Sequence, residues 1–263
     1  MDYSNFDFDI IIQAGQSNAE GMGRGDVVDE YLPNDNVYYL NVAKKVEHTP
    51  ECVKITFFEQ PFSISIAQER EVAGIKIGDF SLSFAKKYVE SGFLDKGRKL
   101  LIVRIGIGGT GFKKGNWGLD DALYKKMLEM TDYALSLNKN NRVVAFLWHQ
   151  GEHDAFEGNI PDVFGKQLSA MVSSVRKRYG EIPFIAGDFV REWKQKNIEI
   201  CKPIVEKIQK VVELLGNAAF VATDDLLSNN EKIKNGDDIH FCRQALQILG
   251  QRYFEKYLEI VKP

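Results

Sequence analysis

The stretch Phe8-Asp9-Ile10-Ile11-Ile12-Gln13-Ala14-Gly15-Gln16-Ser17-Asn18-Ala19 decides how the rest of the chain is read. Its first half is a short, nearly continuous apolar run rich in β-branched isoleucine, and its second half breaks at a glycine into small polar residues. Four more runs of the first kind follow, at 100–106 (LLIVRIG), 142–148 (RVVAFLW), 183–188 (PFIAGD) and 218–223 (AAFVAT). A strand that is apolar on both faces needs something dry against each of them, which a parallel sheet covered by helices supplies. The five runs predict an α/β three-layer sandwich built on a five-stranded parallel sheet, doubly wound by right-handed crossovers. Ligands of such a sheet bind beyond the carboxyl ends of its strands.

The intervening segments carry apolar residues at spacings of three and four. Leu123, Met127, Met130, Ala134 and Leu137 form one stripe, Phe164, Leu168, Met171, Val175 and Tyr179 a second, and Ile204, Ile208, Val211 and Leu215 a third. These are helix undersides packed on the sheet. A last helix is expected over about 243–258. Residues 24–78 mix strand-like pieces (VYYL, VKITFF) with turn-rich LPNDN and HTPE. They read as an insertion that walls the site within a single domain, 1–263.

The charge balance is 34 Lys+Arg against 37 Asp+Glu, a formal −3, with a pI of about 5.9. A chain this balanced has no field to gather a polyanion, so neither nucleic acid nor an anionic membrane is the expected partner. Cys52, Cys201 and Cys242 are odd in number and widely spaced, and read as buried thiols rather than disulfides or zinc ligands. The first residues carry acids where a secretory signal carries bases, and no apolar run approaches a bilayer's thickness. The expected location is the cytoplasm, or outside the cell if a signal has been removed.

Four segments could carry chemistry. Gly15-Gln16-Ser17-Asn18-Ala19 follows the first strand directly. A serine in a sharp strand-to-helix turn can expose its hydroxyl at the sheet edge and point its own N–H at a developing oxyanion. It reads equally well as a plain N-cap. Asp237-Asp238-Ile239-His240 precedes the last helix; Asp237 can reach Nδ1 of His240 from the same turn and leave Nε2 for Ser17, or the four can be a surface turn. Gly106-Ile107-Gly108-Gly109-Thr110-Gly111 spells G-x-G-x-x-G, but loop-like residues follow where a dinucleotide site opens a helix, and Phe112 stands where a P-loop needs lysine. What remains is a glycine loop able to bring a backbone N–H close to a ligand. Trp148-His149-Gln150-Gly151-Glu152-His153-Asp154 contains H-x-x-E-H, a zinc pattern that requires both histidines on one helix face. Here the run leaves a strand and contains glycine. Gln150 reads better as an amide donor aimed into the cleft, and His48 as a solvated loop residue.

Taken together the segments resemble the SGNH hydrolases, specifically the acetylesterases of carbohydrate esterase family six and the related sialate O-acetylesterases. The shared motifs are GQSNA at 15–19, IGGTG at 107–111 with Trp117 after it, WHQGEHD at 148–154 and DDIHF at 237–241, in the family's order and over most of the chain. The resemblance implies a flavodoxin-like sandwich and a serine esterase removing acetyl groups from a carbohydrate of acetylxylan or sialate type, through an acyl-enzyme and without metal or other cofactor. It implies Ser17 as nucleophile, His240 as general base and acid, and Asp237 as orienting carboxylate. It further implies an oxyanion hole from the Ser17 N–H, a glycine N–H at Gly108 or Gly109, and the Gln150 amide. Gln16, Asn18, Thr110, Trp117 and Glu152 are expected to bind substrate or support the site, with Trp117 and Trp148 as candidates for stacking on a sugar. Glu152 would hydrogen-bond backbone or Arg104 and hold its loop, or serve as a second acid partner for His240. The chain departs from the family's usual pattern at His149, His153 and Ser81-Leu82-Ser83-Phe84-Ala85, which bears on substrate choice. Two other classes stand beside this reading: a non-catalytic carbohydrate-binding protein of the same fold, and a zinc hydrolase built on His149, Glu152 and His153.

Overall fold

The computed structural model describes residues 2–49, 52–58 and 62–262. The strands run β1 (Phe8–Gly15), β2 (Val37–Asn41), β3 (Lys44–His48), β4 (Val53–Phe57), β5 (Ser63–Ile66), β6 (Arg70–Val72), β7 (Ile75–Ile77), β8 (Lys99–Gly106), β9 (Arg142–His149), β10 (Phe184–Gly187) and β11 (Ala218–Val221). The helices are α1 (Ser17–Glu20), α2 (Phe80–Glu90), α3 (Ala122–Ser136), α4 (Glu152–Phe156), α5 (Pro161–Tyr179), α6 (Arg191–Lys196), α7 (Ile198–Leu215), α8 (Asn229–Ile233) and α9 (Arg243–Val261).

The five strands read from the sequence are β1, β8, β9, β10 and β11, and all pair in parallel. The sheet is wider than five, with the order β11-β10-β9-β1-β8-β2-β5. The extra two strands come from within 24–78. Strand β2 pairs in parallel with β8, and β5 closes the edge antiparallel to β2. Val37, Tyr38, Tyr39 and Leu40 are all buried, so VYYL is a core strand and not part of a wall. Among the described residues the hairpins β3–β4 and β6–β7 stand apart from the sheet.

All eight residues of β1 are buried, as its position between two parallel neighbours demands. Alternation along β9 shows the two helical layers. Trp148 packs against Phe112 and, edge-on, Phe146 on one face, where Phe164 of α5 also meets Phe112; His149 meets Phe80 of α2 and Tyr253 of α9 on the other. Tyr124 of α3 bonds Ser174 of α5 at 2.8 Å, which ties two helices of the first layer together. The single acid inside β1, Asp9, is answered at the strand's start by Arg98 (2.8 Å), Arg142 (2.6 Å) and Tyr88 (2.8 Å), so its burial leaves no unpaired charge.

From β1 the chain goes out to β2 and β5 at the far edge, comes back to β8 between β2 and β1, then crosses to β1's other side for β9, β10 and β11. That reversal puts the topological switch point at the carboxyl end of β1. Register places Gly15 beside Gly106 of β8 and His149 of β9, so three of the four motifs leave adjacent strands at one level. No helix among the described residues is long and apolar enough to cross a membrane.

Candidate active site

Gly15 makes the turn after β1 possible. Its φ is +140°, and a Cβ there would lie 2.0 Å from the His149 carbonyl oxygen. With that clearance the chain crosses tightly over β9, the Gln16 N–H donates to His149 O at 3.0 Å, and α1 begins at Ser17. Ser17 opens onto a cavity of about 520 Å³ whose lining also includes Gly108, Gly109 and His240.

The fourth motif arrives from the far end of the chain. His240 Nδ1 sits 2.8 and 3.0 Å from the two Asp237 oxygens, and Asn229 Nδ2 donates to Asp237 Oδ2 at 2.9 Å. Half-burial pushes the Asp237 carboxyl up, but the bonds from His240 and Asn229 outweigh it and leave the group below the usual aspartate range. Asn229 also accepts from the Arg24 N–H and donates to Met22 O, and its own N–H donates to His240 O at 2.8 Å, so it fastens the loop to the segment that follows α1. No hydrogen bond joins Ser17 Oγ to His240 among the described residues.

Asn18 makes the connection between the two motifs. Its Nδ2 donates to Ile239 O at 3.1 Å and its Oδ1 accepts from the Phe241 N–H at 3.2 Å, gripping the backbone on both sides of His240. The same Nδ2 donates to Glu152 Oε1 at 2.9 Å. Glu152 is fully buried; burial opposes its ionisation, but His149, 3.6 Å away, and Asn18 hold its pKa below the ordinary value. His149 in turn meets Tyr253 through Nδ1 at 3.1 Å, and Tyr253 donates to Trp148 O. Glu152 therefore supports Asn18; it pairs neither with Arg104, whose Nε lies 3.0 Å from Asp79, nor with His240.

Gln16 and Thr110 are engaged with neighbouring loops. Gln16 Oε1 accepts from the His153 N–H at 3.1 Å, and Thr110 accepts the indole N–H of Trp117 at 3.1 Å while donating to Ile107 O. Trp117 and Trp148 are both fully buried, edge-to-face at 4.9 Å, so neither offers a face to a sugar.

Two expected oxyanion donors are engaged elsewhere. Gln150 is completely buried, outside the cavity lining, and its amide donates to Asp154 Oδ2 at 2.6 Å. The reason is Asp154, a buried acid that also takes the N–H groups of Phe112 and Lys113 and so anchors the glycine loop. The Gly108 N–H donates to Glu20 Oε2 at 3.0 Å. Gly109, at φ +72°, lines the cavity and its amide has no acceptor among the described residues.

Several wall residues escaped the sequence reading. Glu20, His48, Trp193 and Phe156 all line the cavity. His48 is exposed as expected, yet it ends β3 and its ring lies over Gly109 instead of in open solvent. Cys201 and Cys242 are buried, but Cys52 is exposed. The zinc pattern is divided: α4 begins at Glu152, His149 stays on β9 facing Tyr253, and His153 lies on the cavity wall, its pKa lowered by burial. Among the described residues no three His, Cys, Asp or Glu side chains are grouped to hold a metal ion.

Comparison with known proteins agrees with this architecture. A search of curated proteins finds no match. Among solved structures the fold is similar to NanS, with a TM-score of 0.74 at 20% identity over 97% of each chain. It is also similar to a protein from Arabidopsis thaliana, with 0.67 at 18% identity over 95% of this chain and 98% of that one. An Axe2 variant, an acetyl-xylooligosaccharide esterase from Geobacillus stearothermophilus, gives 0.50 at 12% over 96% and 95%. A family model described as carbohydrate esterase, sialic acid-specific acetylesterase, matches residues 7–259 and so takes in all four motifs. By that match the chain belongs to this family of carbohydrate esterases, and it is a carboxylic ester hydrolase acting as a carbohydrate acetylesterase.

Proposed function

We propose that the protein removes O-acetyl groups from a sugar through an acyl-enzyme on Ser17, with His240 as proton carrier and Asp237 as its orienting acid. The observation that carries this reading is the convergence on one cavity of Ser17 and a His240 whose Nδ1 is already held by Asp237 at 2.8 Å. A serine hydroxyl is a weak nucleophile at neutral pH and needs a base of this kind.

Ser17 Oγ attacks the acetyl carbonyl carbon while His240 Nε2 takes its proton, and Asp237 stabilises the resulting imidazolium. The carbonyl oxygen becomes an oxyanion, facing the N–H groups of Ser17 and Gly109. Collapse breaks the ester C–O bond, and the departing sugar oxygen takes the proton from His240. Water then attacks the acetyl-Ser17 carbonyl, gives a proton to the same imidazole and releases acetate, returning the proton to Ser17. Each oxyanion donor is worth roughly 10² to 10³ in rate.

Acetate release from acetylated xylo-oligosaccharides and from O-acetyl sialic acids, compared between the unsubstituted protein and Ser17→Ala, tests the reading. The substitution should lower the rate by roughly 10³-fold or more and leave the melting temperature unchanged, because Ser17 Oγ holds no hydrogen bond among the described residues. Retained hydrolysis would overturn it.

A further inference from the structure

We infer that Phe156 is the platform on which the sugar ring of the acetyl ester stacks, an assignment that rests on the carbohydrate-esterase reading of the same cavity. Phe156 lines the cavity that Ser17 opens onto, yet it is 68% exposed. The other large aromatic of that wall, Trp193, is 7% exposed and packs edge-on against Phe189. A lone exposed apolar side chain means little on a protein surface. Phe156 differs in lining the same cavity as Ser17, on a backbone that is tied down just beyond it.

It ends α4, the short helix that begins at the buried Glu152. Just beyond it, Lys113 Nζ donates to the carbonyls of Glu157 (2.5 Å) and Gly158 (3.0 Å), and Asn159 donates to the buried Asp154 at 2.7 Å. The ring lies nearly parallel to His153, 29° between planes and 6.4 Å between centroids, and both side chains line the cavity. The molecule thus holds an aromatic face in water, one helical turn from a residue that braces the Ser17 turn, at a cost the burial of a ligand would recover. A pyranose presents an apolar C–H face and a polar rim. Its face matches the Phe156 ring, and His153 beside it offers a nitrogen to the rim hydroxyls.

The platform is tested separately from the chemistry. Acetylated xylobiose and 9-O-acetyl N-acetylneuraminic acid are titrated calorimetrically into the Ser17→Ala protein with and without Phe156→Ala, Phe156→Leu and Phe156→Tyr. For a sugar that binds, alanine should weaken Kd about tenfold, leucine nearly as much, and tyrosine should restore it. In the Ser17-containing protein, Phe156→Ala should raise KM for that sugar ester about tenfold with kcat within twofold. Its kcat/KM for vinyl acetate, which has no ring to stack, should be unchanged. Binding of neither sugar, equal Kd in all four proteins, or parallel loss on vinyl acetate would overturn the assignment. Acetate release by the unsubstituted protein judges the esterase reading by itself, whichever way the titrations fall.

Discussion

Replacing Asn18 by alanine removes three hydrogen bonds at once: to Glu152 Oε1 (2.9 Å), to Ile239 O (3.1 Å) and from the Phe241 N–H (3.2 Å). Two are neutral and worth about 1 kcal/mol each, and the one to the carboxylate is worth about 2 kcal/mol, so the fold should lose about 4 kcal/mol. An unfolding entropy of about 2.1 cal/mol/K per residue is ~0.55 kcal/mol/K for 263 residues, which converts the loss into a fall of about 7 °C in melting temperature. The effect on rate should be larger than stability alone explains. Asn18 is the bridge that sets His240 relative to Ser17, and a displacement of about 1 Å in a reacting group costs roughly 10²-fold. Calorimetry and acetate-release kinetics, both run well below the variant's melting temperature, measure the two effects separately. Asn18→Asp keeps the acceptor for Phe241 and sets a second acid against Glu152, so its activity should fall further as pH rises. A melting shift under 2 °C with kcat/KM within threefold would refute the claim that Asn18 joins the two motifs.

Other expectations follow from single contacts. Asp237→Asn should lower kcat by roughly 10³-fold or more, since an amide cannot stabilise the imidazolium; a loss under tenfold in steady-state kinetics would mean another group orients His240. For Glu192, partial burial pushes the carboxyl up, but bonds from Lys196 (2.8 Å), Ser228 and Asn230 (2.8 Å) outweigh it and hold the pKa at about 2, against an ordinary 4.5. A group depressed on folding contributes stability that is complete above pH 4.5 and is lost as the pH falls toward 2. Glu192→Gln should accordingly flatten the acid limb of melting temperature against pH, and an unaltered limb would contradict the assignment. Gly15→Ala forces a side chain into φ +140° and to within 2.0 Å of His149 O, so it should cost more than about 3 kcal/mol; a melt within 2 °C of the parent would show that the turn can relax.

The legible part of the molecule is the part where one residue property decides one outcome. Runs such as Ile10-Ile11-Ile12 have no stable place except a doubly covered strand, and all three are fully buried. The four motifs stood out as candidates because glycine, serine, histidine and acid, three times directly after an apolar strand, are poorly suited to the core. Residues 24–78 were harder for the opposite reason. VYYL at 37–40 and VKITF at 53–57 have similar composition, but the first lies against β8 and the second pairs with β3 in an outlying hairpin; partner, not propensity, separates them. The supports were hidden too. Asn229 is one polar residue in the run Ser228-Asn229-Asn230-Glu231, and nothing local marks it as the one that reaches Asp237. Gln150 carried the right group for an oxyanion donor, but Asp154, four residues on, claims its amide from within the same turn. Trp117 offers no face to a sugar, because it is fully buried with its N–H used on Thr110 inside the core.

The central claim is that one serine of this chain is activated by His240 under the hold of Asp237. A fluorophosphonate that modifies only activated serines, followed by peptide mapping in a mass spectrometer, tests it most directly. The account predicts a single adduct on Ser17, formed at least 10²-fold more slowly after His240→Ala. An adduct on a different serine, or none from a preparation that releases acetate, would contradict it.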